Sequence, residues 1–171
     1  MKTLKPLAVL LCVSVVFGAV VASAQQTPPP PPPPPYGAQM TFDQAKKAMA
    51  AAEAEAQKNS WAVVIAILDA GGNLMMLSRL DNAQWGSIDV AKQKAKAAVA
   101  FRRPTKAFQD LIAQGGANLR LLNLTGDAGV LEGGVPVIVD GKVIGAIGVS
   151  GVTSQQDAQI AMAGAAAIGS K

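Results

Sequence analysis

Residues 132–151 read Glu-Gly-Gly-Val-Pro-Val-Ile-Val-Asp-Gly-Lys-Val-Ile-Gly-Ala-Ile-Gly-Val-Ser-Gly, and no other segment constrains the fold as strongly. Two apolar runs rich in β-branched residues, 135–139 and 142–149, flank Asp140-Gly141, the pair that a two-residue type I′ turn takes at positive φ. The stretch predicts a β-hairpin. Glycines at 145, 148 and 151 remove side chains from one strand at intervals, so that a helix, another backbone or a flat ligand can approach it. They lie within a strand, not at a strand-to-helix turn, so their spacing is not the dinucleotide-binding fingerprint.

The remainder supplies partners for that hairpin. Thr41-Phe42-Asp43-Gln44 has the form of a capping box, and apolar residues recur with helical period until Asn59. Residues 61–68 form a continuous apolar run suited to a buried strand, Asp69-Ala70-Gly71-Gly72 turns the chain, and 73–80 returns as a second hairpin. Ser87 is placed to cap a helix reaching about Phe101, and Thr105 a shorter one ending at Gly115-Gly116. Residues 118–124 suggest a short extra strand, and 125–134 a glycine-containing loop. Thr153 opens a last, alanine-rich helix, with Asp127, Asp140 and Asp157 reading as turn and cap residues. Two antiparallel hairpins with helices before, between and after them predict an α+β domain.

The N-terminal part has a different character. Lys2 and Lys5 precede an apolar run, 7–21, that ends in Ala22-Ser23-Ala24, the pattern of a secretory signal peptide. The sequence thus predicts a signal segment over 1–24, a proline-rich linker over 25–39 and one domain over 40–171. It also predicts export to the periplasm or the medium, with no stable membrane insertion after cleavage. The eight prolines at 28–35 read as a polyproline spacer, with Tyr36 as part of its flexible lead-in. The sequence contains no His, and its one Cys, Cys12, falls in the signal segment. A mature chain from Gln25 would have no disulfide framework, thiol nucleophile, His-dependent triad or Cys/His zinc site. The formal net charge is +4, two units of it from Lys2 and Lys5. Without a basic block or interleaved aromatics, a nucleic-acid surface is not expected.

Several ordered blocks carry a family likeness: Asp69-Ala-Gly-Gly-Asn-Leu, Arg79-Leu-Asp81 followed by Trp85-Gly-Ser-Ile-Asp89, Lys94-Ala-Lys-Ala-Ala, Phe101-Arg-Arg-Pro-Thr105, and the terminal hairpin. From Met40 onward the chain resembles the GlcG/HbpS family of haem-degrading domains, which also occurs at the C-terminus of some cobalamin adenosyltransferases. The resemblance implies a profilin-like antiparallel sheet packed with helices, assembly into homo-oligomers, and, in some exported members, haem binding with slow haem breakdown. Histidine near the iron is not available to this chain, so the resemblance leaves Met, Tyr or Lys for the iron, or apolar contact with propionate pairing. Met75 and Met76, at successive strand positions, are expected to face opposite sides.

On a helical wheel of 87–103, Lys94 falls among Val90, Ala97 and Phe101, and Arg102 near Ile88, Ala91 and Ala95. A cation on an apolar arc must snorkel, pair or meet a ligand. Asp69, Asp81 and Glu132 are candidate partners. The functional alternative is an anionic site in which Arg79, Lys94 and Arg102 receive carboxylates, beside the accessible amides of Glu132-Gly133-Gly134, with Phe101 and Thr105 as neighbours. Three readings follow: a small-ligand-binding protein for haem or a related tetrapyrrole, a haem-independent protein for a small organic acid, and a structural or interaction oligomer on a polyproline spacer. No catalytic residue and no metal-ligand cluster is identified.

Overall fold

The computed structural model describes residues 31–124 and 129–169. The predicted signal segment, the first three prolines of the run, and Asp127 lie outside the described residues. In chain order the elements are α1 (Phe42–Lys58), β1 (Val64–Asp69), β2 (Leu74–Arg79), α2 (Ser87–Phe101), α3 (Lys106–Ala113), a 3₁₀ helix (Gly116–Asn123), β3 (Gly134–Val139), β4 (Lys142–Ser150) and α4 (Ser154–Gly169). The strands form one antiparallel sheet in the order β2-β1-β4-β3. The fold is α+β, as the two hairpins predict.

Strand alternation divides the core. Ile65 and Ile67 of β1 and Ile147 and Val149 of β4 bury against Met49 and Ala52 of α1 and Ile160 and Ala161 of α4. On the opposite face, Val64, Ala66, Leu68 and Ala146 meet Ala91, Ala95, Ala98 and Val99 of α2. Helix α2 therefore covers one face and the α1/α4 pair the other, which leaves β1 and β4 buried on both sides. Gly148 sets the α2 contact: a Cβ there would strike the Ala91 carbonyl oxygen and stand 2.5 Å from the Ala95 amide nitrogen. The predicted turn is present, with Asp140 at φ 49° and Gly141 at φ 72°.

Local chemistry explains the helix ends. Thr41 and Gln44 form the predicted capping box on α1. At α4 the Gln156 amide donates to Thr153 Oγ1 at 3.4 Å, and the Thr153 amide to Gln156 Oε1 at 3.2 Å. Ser87 is not the cap of α2; Gly86 holds that position, and the Ser87 side chain is buried, accepting a hydrogen bond from Ser150 Oγ at 3.1 Å. Thr105 does precede α3, but its hydroxyl accepts from the Gly134 amide at 2.9 Å instead of capping the helix. The expected strand at 118–124 is instead the 3₁₀ helix, which follows the turn at Gly115 and packs on α3 without joining the sheet.

Two further departures bear on function. Pairing of β2 with β1 slips between Ile67 and Leu68, so Met76 opposes Ile67 while Leu74 opposes Leu68. This bulge cancels the expected alternation of Met75 and Met76, which both pack, partly buried, against the α1/α4 core. Tyr36 is no loose lead-in. It pairs in parallel with Val143, its hydroxyl donates to the carbonyls of Val99 and Ala100 at 2.9 and 3.0 Å, and the Arg102 guanidinium stands 5.2 Å from its ring centroid. Backbone bonds from Val143 N to Pro35 O and from Gly37 N to Val143 O, both 2.9 Å, continue the sheet where β1 has ended.

Candidate functional site

The predicted anionic residues separate into distinct environments. Lys94 is the centre of a buried node. Its Nζ donates to Asp157 Oδ2 at 2.8 Å and to the Val149 carbonyl at 3.0 Å, with side chains 2% and 3% exposed for Lys94 and Asp157. Its partner is thus Asp157, not Asp69, Asp81 or Glu132, because the side chain runs from α2 past the end of β4 to the first turn of α4. Burial pushes the Asp157 carboxyl above the usual carboxylate range, against the opposing pull of Lys94 and the amides of Val152 and Gly151.

Gly133 and Gly134 enclose this node. Gly133, at φ 127°, would place a Cβ 2.8 Å from Lys94 Nζ, and a Cβ on Gly134 would collide with the Lys94 carbonyl. Two of the amides expected to be free for an anion are in use: Glu132 N donates to Gln109 Oε1 and Gly134 N to Thr105 Oγ1, each at 2.9 Å. Glu132 itself is buried beside Gln109, whose Nε2 lies 3.5 Å from Glu132 Oε2. The glycines are there to admit Lys94 and α2.

Arg102 lies beyond the end of α2, so its place on the apolar arc of the wheel does not hold. It is the left-handed C-cap of α2, with φ 52°, and its Nη1 donates to the Pro34 carbonyl at 3.2 Å. Phe101 meets Phe108 edge to face, with centroids 5.2 Å apart. Asp69 closes its own turn, accepting from the amides of Gly71 at 2.8 Å and Asn73 at 2.9 Å, and these bonds, the Asn73 amide first, hold it below the usual carboxylate range. Arg79, Lys94 and Arg102 therefore do not converge on one ligand.

Arg79 remains at the surface, fixed and accessible. Its Nη1 donates to the Ala83 carbonyl at 3.1 Å, and its guanidinium stacks 4.1 Å from the centroid of Trp85. Trp85 is 74% exposed, the most exposed of the large apolar side chains among the described residues. In the sequence Trp85 stands out only as part of a family block. The available signal was a tryptophan in a polar turn six residues beyond an arginine, where no core position accounts for it. Along the same face of β2, Leu74 and Leu77 are also exposed. A groove of about 340 Å³ between this hairpin and α2 is lined by Leu68, Gly72, Leu74, Asp89, Lys92 and Lys96, among others. Lys92 pairs with Asp89 at 2.7 Å, and among the described residues Lys96 has no carboxylate partner.

The family model described as "Haem degrading protein HbpS-like" matches residues 40–166. The chain belongs to the HbpS-like family. It is 44% identical to protein GlcG of Escherichia coli strain K12 over 102 residues, 60% of this chain and 74% of that protein. It is 33% identical over 130 residues to the corrinoid adenosyltransferase PduO of Salmonella typhimurium, spanning 75% of this chain but only 39% of that enzyme. Among solved structures, HbpS superposes with a TM-score of 0.70 at 34% identity, covering 78% of this chain and 92% of that one. The solved PduOC:Heme complex gives a TM-score of 0.70 at 33% identity, covering 76% and 95% respectively. Among the described residues no helix is long and apolar enough to cross a membrane, and no group of three or more His, Cys, Asp or Glu side chains could hold a metal ion.

Proposed function

We propose that this HbpS-like protein binds haem or a related tetrapyrrole. The observation that carries the reading is the likeness to a chain solved as a haem complex, which extends over 95% of that chain. The donor set fits the macrocycle and its carboxylates better than the iron. The sequence has no His, and the Tyr36 hydroxyl is committed to two carbonyls, whereas Arg79, Lys92 and Lys96 lie at the surface beside exposed apolar side chains. Ring contact and propionate pairing are the part of recognition that this reading gives to these side chains. Bound haem would bring redox chemistry at its iron, including slow oxidative breakdown of the ring with oxygen and a reductant. The chain's own part is to bind and orient. Export after cleavage of a signal peptide over 1–24 and assembly into a homo-oligomer belong to the same reading.

The test is titration of mature protein with hemin, followed in the Soret region. The expected outcome is a saturable, stoichiometric change. Absence of saturation, together with a thermal shift produced by a small carboxylic acid, would replace haem with an organic acid as the ligand, since a true ligand raises stability by mass action.

A further inference from the structure

The bulge in β2 has a consequence for the edge of the sheet. Because Leu74 opposes Leu68, Leu77 opposes Ala66 and Arg79 opposes Val64, all three side chains stand on the face that carries α2. A regular strand would have turned Leu74 toward the other face, away from Leu77 and Arg79. Strand β2 lies at the edge of the sheet, and the exposed Leu77 and Arg79 extend, on the same face, the surface where Leu74 and α2 line a groove. Lys92 and Lys96 line the groove at the Leu74 end of β2, and Arg79, stacked on Trp85, stands at the other end of the strand. From Leu74 to Arg79 the strand runs about 15 Å, a length that a tetrapyrrole fills and a two- or three-carbon acid does not.

We propose that this surface is the seat of a planar, carboxylate-bearing tetrapyrrole, with the open face of Trp85 stacking on the ring and Arg79 and Lys96 receiving carboxylates. The inference rests on the reading of the protein as a tetrapyrrole binder and gives that reading a place. Three features support it. Trp85 presents a large aromatic surface held in position by Arg79, so little conformational freedom is lost on stacking. The guanidinium is itself fixed by the Ala83 carbonyl, which orients its remaining N–H groups for a carboxylate. Of the three cations around this surface, only Lys92 is in an ion pair among the described residues. A second copy of the same face, docked about a two-fold axis, would bring these cations against their own counterparts; an anionic ligand suits them.

The experiment uses the mature chain carrying Trp61→Phe, which leaves Trp85 as the only tryptophan. Hemin and metal-free protoporphyrin IX are titrated separately while Trp85 emission and the porphyrin absorption band are both followed. Saturable quenching of Trp85 that tracks the absorption change for both ligands is expected. In the two-tryptophan chain, Arg79→Gln, Trp85→Ala and Lys96→Glu should each weaken binding about ten-fold, which is about 1.4 kcal/mol, with unchanged circular dichroism. Saturable absorption with constant Trp85 emission and wild-type affinity in the variants would overturn this site while leaving tetrapyrrole binding intact. Absence of any saturable change in the unsubstituted protein would overturn both. Trp85 emission that follows protein concentration without ligand would assign the face to a second copy instead.

Discussion

Lys94 is the most buried cation among the described residues, and its charge is tolerated because Asp157 and the Val149 carbonyl meet it at 2.8 and 3.0 Å. A buried pair of this kind adds little net stability, yet breaking it is costly because one charge is left without compensation. Lys94→Met would leave the Asp157 carboxylate alone in the core. We expect a loss of about 3–5 kcal/mol at neutral pH, measured by denaturant unfolding. The pH dependence has a definite sign. Asp157 already binds its proton more tightly in the folded chain than in the unfolded one, and removal of Lys94 increases that difference. Stability of the variant should therefore fall as pH rises from the ordinary carboxylate range through the raised folded pKa, and recover in acid. Adding Asp157→Leu should restore stability and flatten this dependence. The wheel of 87–103 exposed the anomaly of Lys94, because a lysine among alanines needs a partner. It could not name Asp157, which lies sixty-three residues away and reads locally as a helix-cap carboxylate.

The hairpin of β3 and β4 is the element where local sequence and tertiary packing agree most closely. Asp140-Gly141 makes the turn, and the β-branched flanks make the strands. The glycines along β4 pointed to a close approach without naming the visitor, which proves to be the backbone of α2 at Gly148. Gly148→Ala should force the Ala91 and Ala95 backbone away from the sheet and cost about 3 kcal/mol, seen as a lowered unfolding midpoint with an unchanged denaturant slope. A compensating truncation is not available, because the opposing atoms are backbone. Strand β2 shows the converse case. Its run Leu74-Met75-Met76-Leu77-Ser78-Arg79 was legible as a strand, but the bulge that places Leu74, Leu77 and Arg79 on one face arises from pairing with β1 and leaves no mark on β2 alone.

At the scale of the whole molecule, the proline-rich segment and the domain meet farther upstream than composition suggests. The linker predicted over 25–39 ends in residues that belong to the sheet: Pro35 accepts from Val143 N, Gly37 donates to Val143 O and Tyr36 covers the carboxyl end of α2. A chain beginning at Pro34 should keep the stability of the mature protein. One beginning at Met40 should lose about 1–3 kcal/mol with these hydrogen bonds, measured by thermal and denaturant unfolding. The sequence by itself determined what depends on neighbours in the chain: the two hairpins, the caps of α1 and α4, the α+β class and the family likeness carried by its ordered blocks. Those features follow from backbone preference and hydrophobic period, which act over a few residues. Only the tertiary structure decided the partner of Lys94, the occupied amides at Glu132 and Gly134, the docking of Tyr36, and the meeting of Arg79 with Trp85 beside Leu77. Each depends on contacts or strand register that local pattern does not encode, because a side chain's partner is set by which surfaces the folded chain brings together.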